Sequence, residues 1–371
     1  MKNLKIRLYP TEEQEILFKK FIGAERYIYN WALSLNNELY KTKKKKYSTN
    51  DLGKMLTQHK KECLWLNEIS NATLKESIRN LDKAYTNFYK KRAKLPKFKS
   101  KKHCKLSFYS RYDALYFKND VVNLEKIGKV KYKSSYNIDL TKISKFSNPH
   151  VLFNGRCWVL TVGIEVKNKE IELTNEVIGI DLGIKDLAIC SNNMKFKNIN
   201  KTRAIKALEK RLRRLQRKIN KKYINNKKGE SYIKTSNIIK LEKRIKKLYR
   251  KLKNIRQDYI HKSTTSIVKT KPCRVVMEDL NISGMMKNRH LSKAIAQQKL
   301  YEFIRQIKYK CELNGIKFIQ VDRYYPSSKI CSCCRNIKKD LKLSDRTYIC
   351  QKCGLIIDRD FNASINLANY R

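Results

Sequence analysis

"VIGIDLGIKDLAIC", residues 177–190, reads as two short strands joined by a glycine-containing turn. The first, "VIGID", is almost wholly apolar, as a strand buried on both faces would be, and it ends on an acid, Asp181. A lone acid after an apolar strand is more often a turn or cap residue than a ligand. The motif gains weight from company. "CRVVMEDL" (273–280) is a second short buried strand, and Glu278 stands at its end. "DFNASINLANY" reads as the closing helix, with Asp360 at its start. Carboxylates carried to one place by three separate elements suit a hard divalent cation. Mg²⁺ takes oxygen ligands and keeps part of its water shell. Two such ions can clamp the attacking and leaving oxygens of a phosphodiester. The segment "CGLIIDRDFNAS" also holds Asp358, on the other side of Arg359, and spacing alone does not choose between the two acids.

Immediately upstream lies "CSCCRNIKKDLKLSDRTYICQKC". Cys331-x-x-Cys334 and Cys350-x-x-Cys353, fifteen residues apart, make a four-thiolate zinc pattern. Two intervening residues let one tight turn aim both sulfurs at a tetrahedral ion. "LKLSDRTYI" can supply the strands of a zinc ribbon, and Cys333 is a spare that competes with Cys334. Four protein thiolates leave no position for water, so one structural zinc is expected rather than a catalytic one. The alternative is a set of unrelated buried thiols.

The chain has 371 residues, 85 Lys+Arg against 33 Asp+Glu, and a formal net charge of +52. Such an imbalance repels itself unless a polyanion compensates it, and nucleic acid does so by phosphate neutralisation. A lysine-rich compositional bias would raise glutamate as well, and glutamate is not raised. "MKNLKIRLYP" has no apolar signal core, and no run approaches a membrane span. The eleven cysteines then read as metal ligands plus scattered thiols of an intracellular, cytoplasmic chain.

Two long basic helices follow the first acid. Ile205, Leu208, Leu212, Leu215 and Ile219 form one narrow stripe; Leu241, Ile245, Leu248, Leu252 and Ile255 form the other. "INNKKGES" separates them, which predicts an antiparallel hairpin spanning 200–268. Arg211, Arg214 and Lys218 lie off the stripe and are candidate nucleic-acid contacts. Residues 293–313 read as one further helix with Leu300, Phe303, Ile304, Ile307 and Cys311 on its apolar face.

The N-terminal half has its own signals. Thr11 and Gln14 form a capping box, and Leu17, Phe21, Ala24, Ile28 and Trp31 step along one helix face. A second helix starts at Ser48, and a third runs through Leu74, Ile78, Leu81, Tyr85 and Phe88. Residues 11–92 therefore read as a helical module. After "LPKFKSKKHC" the pattern turns to β from about 104 to 174, with Asn154-Gly155 as a type I′ hairpin signal. A small barrel or twisted sheet is expected, closed by "LKIRLY".

The ordered set "GIDLGIKDLA", "VVMEDLNISGM", "PSSKICSCC…CQKCG" and "DRDFNASINL" resembles the three RuvC motifs and inserted zinc ribbon of the TnpB (OrfB) family of bacterial insertion sequences. That family is related to the CRISPR type V effector nucleases. The opening "KIRLYPTEEQEILFKKFIGAERYIYN" and "LPKFKSKK" resemble it too, so the likeness covers nearly the whole chain. It implies an α/β multidomain protein: an RNase H-like (RuvC) nuclease domain at 176–371 with a zinc ribbon at 326–356, a split wedge-like β-barrel at 1–10 and 93–175, and a helical recognition module at 11–92. It implies an RNA-guided DNA endonuclease, with Asp181, Glu278 and Asp360, not Asp358, as the catalytic acids and holders of two Mg²⁺. A guide RNA from the element end, double-stranded target DNA with a short flanking motif, and a separate strand-transfer transposase of the same element are the implied partners. No membrane is involved, and a nucleoid-associated location in a bacterial cytoplasm is expected. Ser364-Ile365 departs from the alanine and arginine common there, and the chain stops sooner after the last motif than many relatives do. A nuclease-dead RNA-guided repressor and an autonomous DDE-type transposase are the alternatives. The first should lack one of the acids; the second should join DNA ends.

Overall fold

In β1 (Lys2–Tyr9) every second side chain is apolar. Leu4, Ile6 and Leu8 are buried, while Lys5 and Arg7 face outwards. The computed structural model describes residues 2–370 apart from 103, 137–138, 144, 166–170, 230 and 343–344. His103, the end of the expected barrel near 166–170, and Leu343 and Ser344 of the expected ribbon lie outside the described residues. The chain divides into two units, Met1–Val166 and Lys167–Arg371.

In the first unit, α1 (Glu12–Lys43) starts on the Thr11–Gln14 capping box, with both arms formed. The same device, Ser48 with Asp51, starts α2 (Thr49–Glu62); α3 spans Asn71–Tyr89. Six further strands follow: β2 (Ser107–Tyr109), β3 (Tyr116–Lys118), β4 (Val121–Leu124), β5 (Gly128–Lys133), β6 (Phe146–Phe153) and β7 (Trp158–Ile164). They join β1 in one antiparallel sheet of order β2-β6-β7-β1-β5-β4-β3. The sheet curls, because Phe117 on edge strand β3 meets Phe146 on β6 with ring centroids 5.2 Å apart. Helices and sheet share one apolar core, in which Phe18 and Phe21 of α1 pack on Phe108, and Phe18 also on Trp158.

The hairpin at Asn154-Gly155 forms, but not as a type I′ turn. Phe153 pairs with Trp158, so the loop has four residues, and Gly155 alone among them has positive φ (85°). The Asn154 side chain decides this by accepting from the N–H groups of Arg156 (3.0 Å) and Cys157 (3.1 Å).

The second unit is built on β8 (Thr174–Leu182), β9 (Asp186–Cys190) and β10 (Lys195–Lys197). Next come α4 (Arg203–Asn225), a small β11–β12 hairpin (Lys227–Lys228, Ser231–Tyr232) and α5 (Ser236–Lys269). The two apolar stripes read from the sequence meet along the α4–α5 seam, around Ile205, Leu212, Leu248 and Leu252 and again around Ile219, Ile238 and Leu241. β13 (Pro272–Glu278) leads through α6 (Ile282–Met285), α7 (Ser292–Gln298) and α8 (Leu300–Leu313) to β14 (Lys317–Val321). The expected single helix over 293–313 is therefore interrupted. Lys299 takes a left-handed conformation (φ 55°), and the buried Gln298 amide donates to Gly183 O at 3.1 Å. β15 (Thr347–Ile349), β16 (Ile356–Asp358) and α9 (Arg359–Ala368) complete the unit. Its main sheet has the order β10-β9-β8-β13-β14, antiparallel up to β8 and parallel from β8 to β14. No described helix is long and apolar enough to cross a membrane.

Candidate functional site

β8 and β13 run side by side and parallel, with Met277 opposite Ile180. One residue further along each strand stand Glu278 and Asp181, so both acids sit at carboxyl ends of neighbouring strands. The crevice beyond such ends is where open α/β sheets hold their ligands.

The third acid arrives on α9. Asp358 caps that helix, its side chain accepting from the N–H groups of Asp360 (3.1 Å) and Phe361 (3.0 Å). Asp360 lies in the first turn. The helix lies directly on β8 because residue 179 is glycine. A Cβ there would fall 2.0 Å from Ser364 O and 2.4 Å from Ala368 N. That close approach places the start of α9 beside the end of β8.

Asp181 senses the other two acids. Burial, then repulsion from Glu278 and Asp360, holds the Asp181 carboxyl well above the usual range, with Arg359 opposing the shift. The Ser327 hydroxyl donates to Glu278. An Arg346 guanidinium nitrogen stands 3.9 Å from Asp360 Oδ2. The arrangement concentrates negative charge at one point of a very basic chain, which is what a divalent cation would relieve.

A cysteine cluster abuts this site. Among the described residues it is the group that gathers three or more metal-type ligand atoms within 4.8 Å of one another: Cys331, Cys334, Cys350 and Cys353. The three carboxylates form a looser set. Two similar turns build the cluster. Arg335 (φ 62°) follows the first pair and its N–H donates to Cys331 O; Gly354 (φ 70°) follows the second and donates to Cys350 O, each at 3.0 Å. The backbone N–H of Cys353, then that of Lys352, pulls the Cys350 thiol down, while burial and hydrogen bonds from the neighbouring sulfurs push Cys334 and Cys353 up. Sulfur separations of 3.6 Å (Cys331–Cys353) and 3.5 Å (Cys334–Cys350) are close to the edges of a tetrahedron. An ion about 2.3 Å from each thiolate would set those edges near ~3.8 Å. The donor set and its spacing therefore fit a four-coordinate metal. Cys333 is exposed and outside the group.

Amides on α9 fasten the cluster to the acids. Asn362 accepts from Ser332 N–H (3.0 Å) and donates to Ile330 O (2.7 Å). Asn366, one turn on, donates to Ile330 O (2.6 Å) and Ser327 O (2.8 Å). Both are fully buried. Ser327, Arg346, Asn362 and Asn366 were not singled out by the sequence reading. Only their nearness to the cysteine pairs and to Asp360 hinted at them. Arg211, Arg214 and Lys218 are exposed on α4, off its apolar seam.

Three family profiles match the chain. Residues 161–289 match OrfB_IS605, described as "Probable transposase". Residues 301–367 match "Cas12f1-like, TNB domain". Residues 1–45 match a "Helix-turn-helix domain" profile of the same OrfB group, over a stretch that here forms β1 and the single long helix α1. A Streptomyces pristinaespiralis protein provisionally named an RNA-guided DNA endonuclease is 29% identical over 98% of this chain and 87% of its own. InsQ of Escherichia coli K12, provisionally named likewise, is 29% identical over 98% of this chain and 90% of its own. Among solved structures, Cas12f1 in a complex with sgRNA and target DNA superposes with a TM-score of 0.60 at 16% identity, over 97% of this chain and 83% of that one. That likeness is one of fold.

Proposed function

The chain belongs to the TnpB-like OrfB family of insertion-sequence proteins, and on that premise we propose that it is an RNA-guided DNA endonuclease whose cutting site is formed by Asp181, Glu278 and Asp360. One observation carries the assignment of the site: two acids at the ends of adjacent parallel strands and a third at the start of the helix packed on them, close enough to raise the proton affinity of Asp181. In this reading the second unit is an RNase H-like (RuvC) domain bearing a zinc ribbon, and the curled sheet of the first is a wedge-like split barrel beside a helical recognition module. The three carboxylates would hold Mg²⁺, which would polarise the scissile phosphodiester and activate water. The chain's own side chains orient that site. Ser327 fixes the Glu278 carboxylate, the Asp358 cap fixes the first turn of α9, and Gly179 sets the distance of that turn from Asp181. Guide RNA from the element end and duplex target DNA are the partners, with a strand-transfer transposase of the same element acting separately at the nucleoid.

The test is cleavage of labelled duplex DNA by the protein carrying its guide RNA, with Mg²⁺ or with chelator. Cutting should require a matching guide and metal. Cutting that ignores the guide would sink RNA guidance; joined rather than cut ends would favour a transposase. A nuclease-dead repressor is disfavoured because all three acids are present and the charges of Glu278 and Asp360 act on Asp181.

Two further outcomes are expected. Metal analysis should find about one zinc per chain, lost in Cys350→Ser and retained in Cys333→Ser. Zinc loss in the second variant would make Cys333 a ligand in place of Cys334. Charge reversal at Arg211, Arg214 and Lys218 together should weaken nucleic-acid binding and flatten its salt dependence by roughly one log-log unit per lost phosphate contact. Unchanged slopes for guide RNA and target DNA would make that face of α4 a merely solvated one.

A further inference from the structure

Residues 90–102, "KKRAKLPKFKSKK", hold eight Lys or Arg and no acid. Residues 94–100 form neither helix nor strand, yet the segment is tied down at both ends. At one end Arg92 N–H (2.8 Å) and Ala93 N–H (3.2 Å) donate to Asn87 O at the close of α3. At the other, Asn30 of α1 clamps Lys99 in both directions, donating to its carbonyl (2.9 Å) and accepting from its N–H (2.8 Å). The Lys99 ammonium lies 3.6 Å from the centroid of the Tyr29 ring. Pro96 stiffens the span between these anchors.

Within this fixed cationic track two apolar side chains stand in solvent, Leu95 at 55% and Phe98 at 59% exposure. A solvated charge run has no use for them. A nucleic-acid duplex would engage only the lysines, since its bases are stacked on one another and offer no free face. An unpaired strand offers both complements, phosphates for the lysines and a bare base face for an aromatic ring.

We infer that residues 90–102 form a strap for an unpaired stretch of RNA, with Lys94 and Lys97 on its phosphates and a base stacked on Phe98. This rests on the RNA-guided reading. RNA is the strand assigned because a chain of net charge +52 needs a resident polyanion, whereas target DNA is met only in passing.

The test has two parts. Binding of the full chain to a labelled oligouridine and to an RNA duplex of equal length is measured over a salt series. Phe98→Ala should bind the oligouridine about tenfold more weakly with its salt slope unchanged, and the duplex as before. Phe98→Trp should restore affinity. Lys94→Ala with Lys97→Ala should instead flatten the single-strand slope by about 1.4. Wild-type affinity in Phe98→Ala, or an equal loss on duplex, overturns the strap. Independently of any variant, ultraviolet crosslinking of the complex isolated with its RNA should leave a ribonucleotide on the peptide containing Phe98. A clean peptide, or an adduct that forms only once DNA is added, also overturns it. Guided cleavage by the wild-type complex is run alongside. If it persists, only the strap has failed; if it is absent, the reading beneath it has failed.

Discussion

Asp360→Ala abolishes guided DNA cleavage, and Asp358→Ala, two residues away, does not; this is the expected result of exchanging each acid in turn. Asp360 stands in the first turn of α9 and is one of two acids whose charge raises the proton affinity of Asp181. In the proposed reading its loss removes one of the oxygen ligands of a site that must position metal, so cleavage should fall by roughly 10³-fold or more. Asp181→Ala and Glu278→Ala should be as severe. The triple variant should be little worse than any single one, because groups that act as a unit are not additive. Guide RNA and target binding should survive in all of them. Asp358 is occupied in capping the helix, and its removal should cost about 1 kcal/mol of stability. Single-turnover cleavage and thermal melting separate the two roles. An active Asp360→Ala beside a dead Asp358→Ala would reverse the assignment.

Gly179→Ala is expected to be the most damaging single methyl in the second unit. The added carbon would meet the carbonyl oxygen of Ser364 at 2.0 Å and the amide nitrogen of Ala368 at 2.4 Å. Both are backbone atoms, so no rotamer change relieves the clash, and α9 has to lift from β8. Overpacking of this kind costs about 3 kcal/mol or more. In a unit of this size that lowers its melting temperature by about 6–12 °C. A shift of about 1 Å in the α9 turn that carries Asp360 should also cost on the order of 10²-fold in cleavage at temperatures where the protein is still folded. A variant with wild-type melting and cleavage would show that the contact between α9 and β8 is looser than described.

What the sequence disclosed was local. Capping boxes at Thr11 and Ser48, the two stripes of α4 and α5, and the spacing of the cysteine pairs each rest on residues within a turn or two of one another, and each element starts or packs as those residues dictate. What stayed hidden was relational. Nothing near Glu278 announces that β13 lies parallel to β8 with Met277 opposite Ile180. Gly179 passed as one more residue of the apolar strand "VIGID", while its role is to let a helix from the far end of the chain touch the strand. Ser327 precedes a cysteine pair in sequence but serves an acid 49 residues upstream. The Asn154 turn and the break at Lys299 were misread for a related reason. In each, a side-chain hydrogen bond outweighed the intrinsic preference of the backbone.

The central place of β1 has a consequence for synthesis. Its neighbours are β5 and β7, and Lys2 pairs with Ile164. At about 5–20 residues per second, β1 leaves the ribosome on the order of ten seconds or more before its second partner exists. Throughout that delay it is a bare strand with an apolar face, the kind of segment that recruits other nascent chains. Its outward positions hold Lys5 and Arg7, so two strands of this kind brought together would meet charge against like charge. The residues that look merely solvated in the finished sheet act as gatekeepers of its assembly, and exchanging both for threonine should lower the soluble yield of newly made protein more than it lowers the melting temperature of protein already folded.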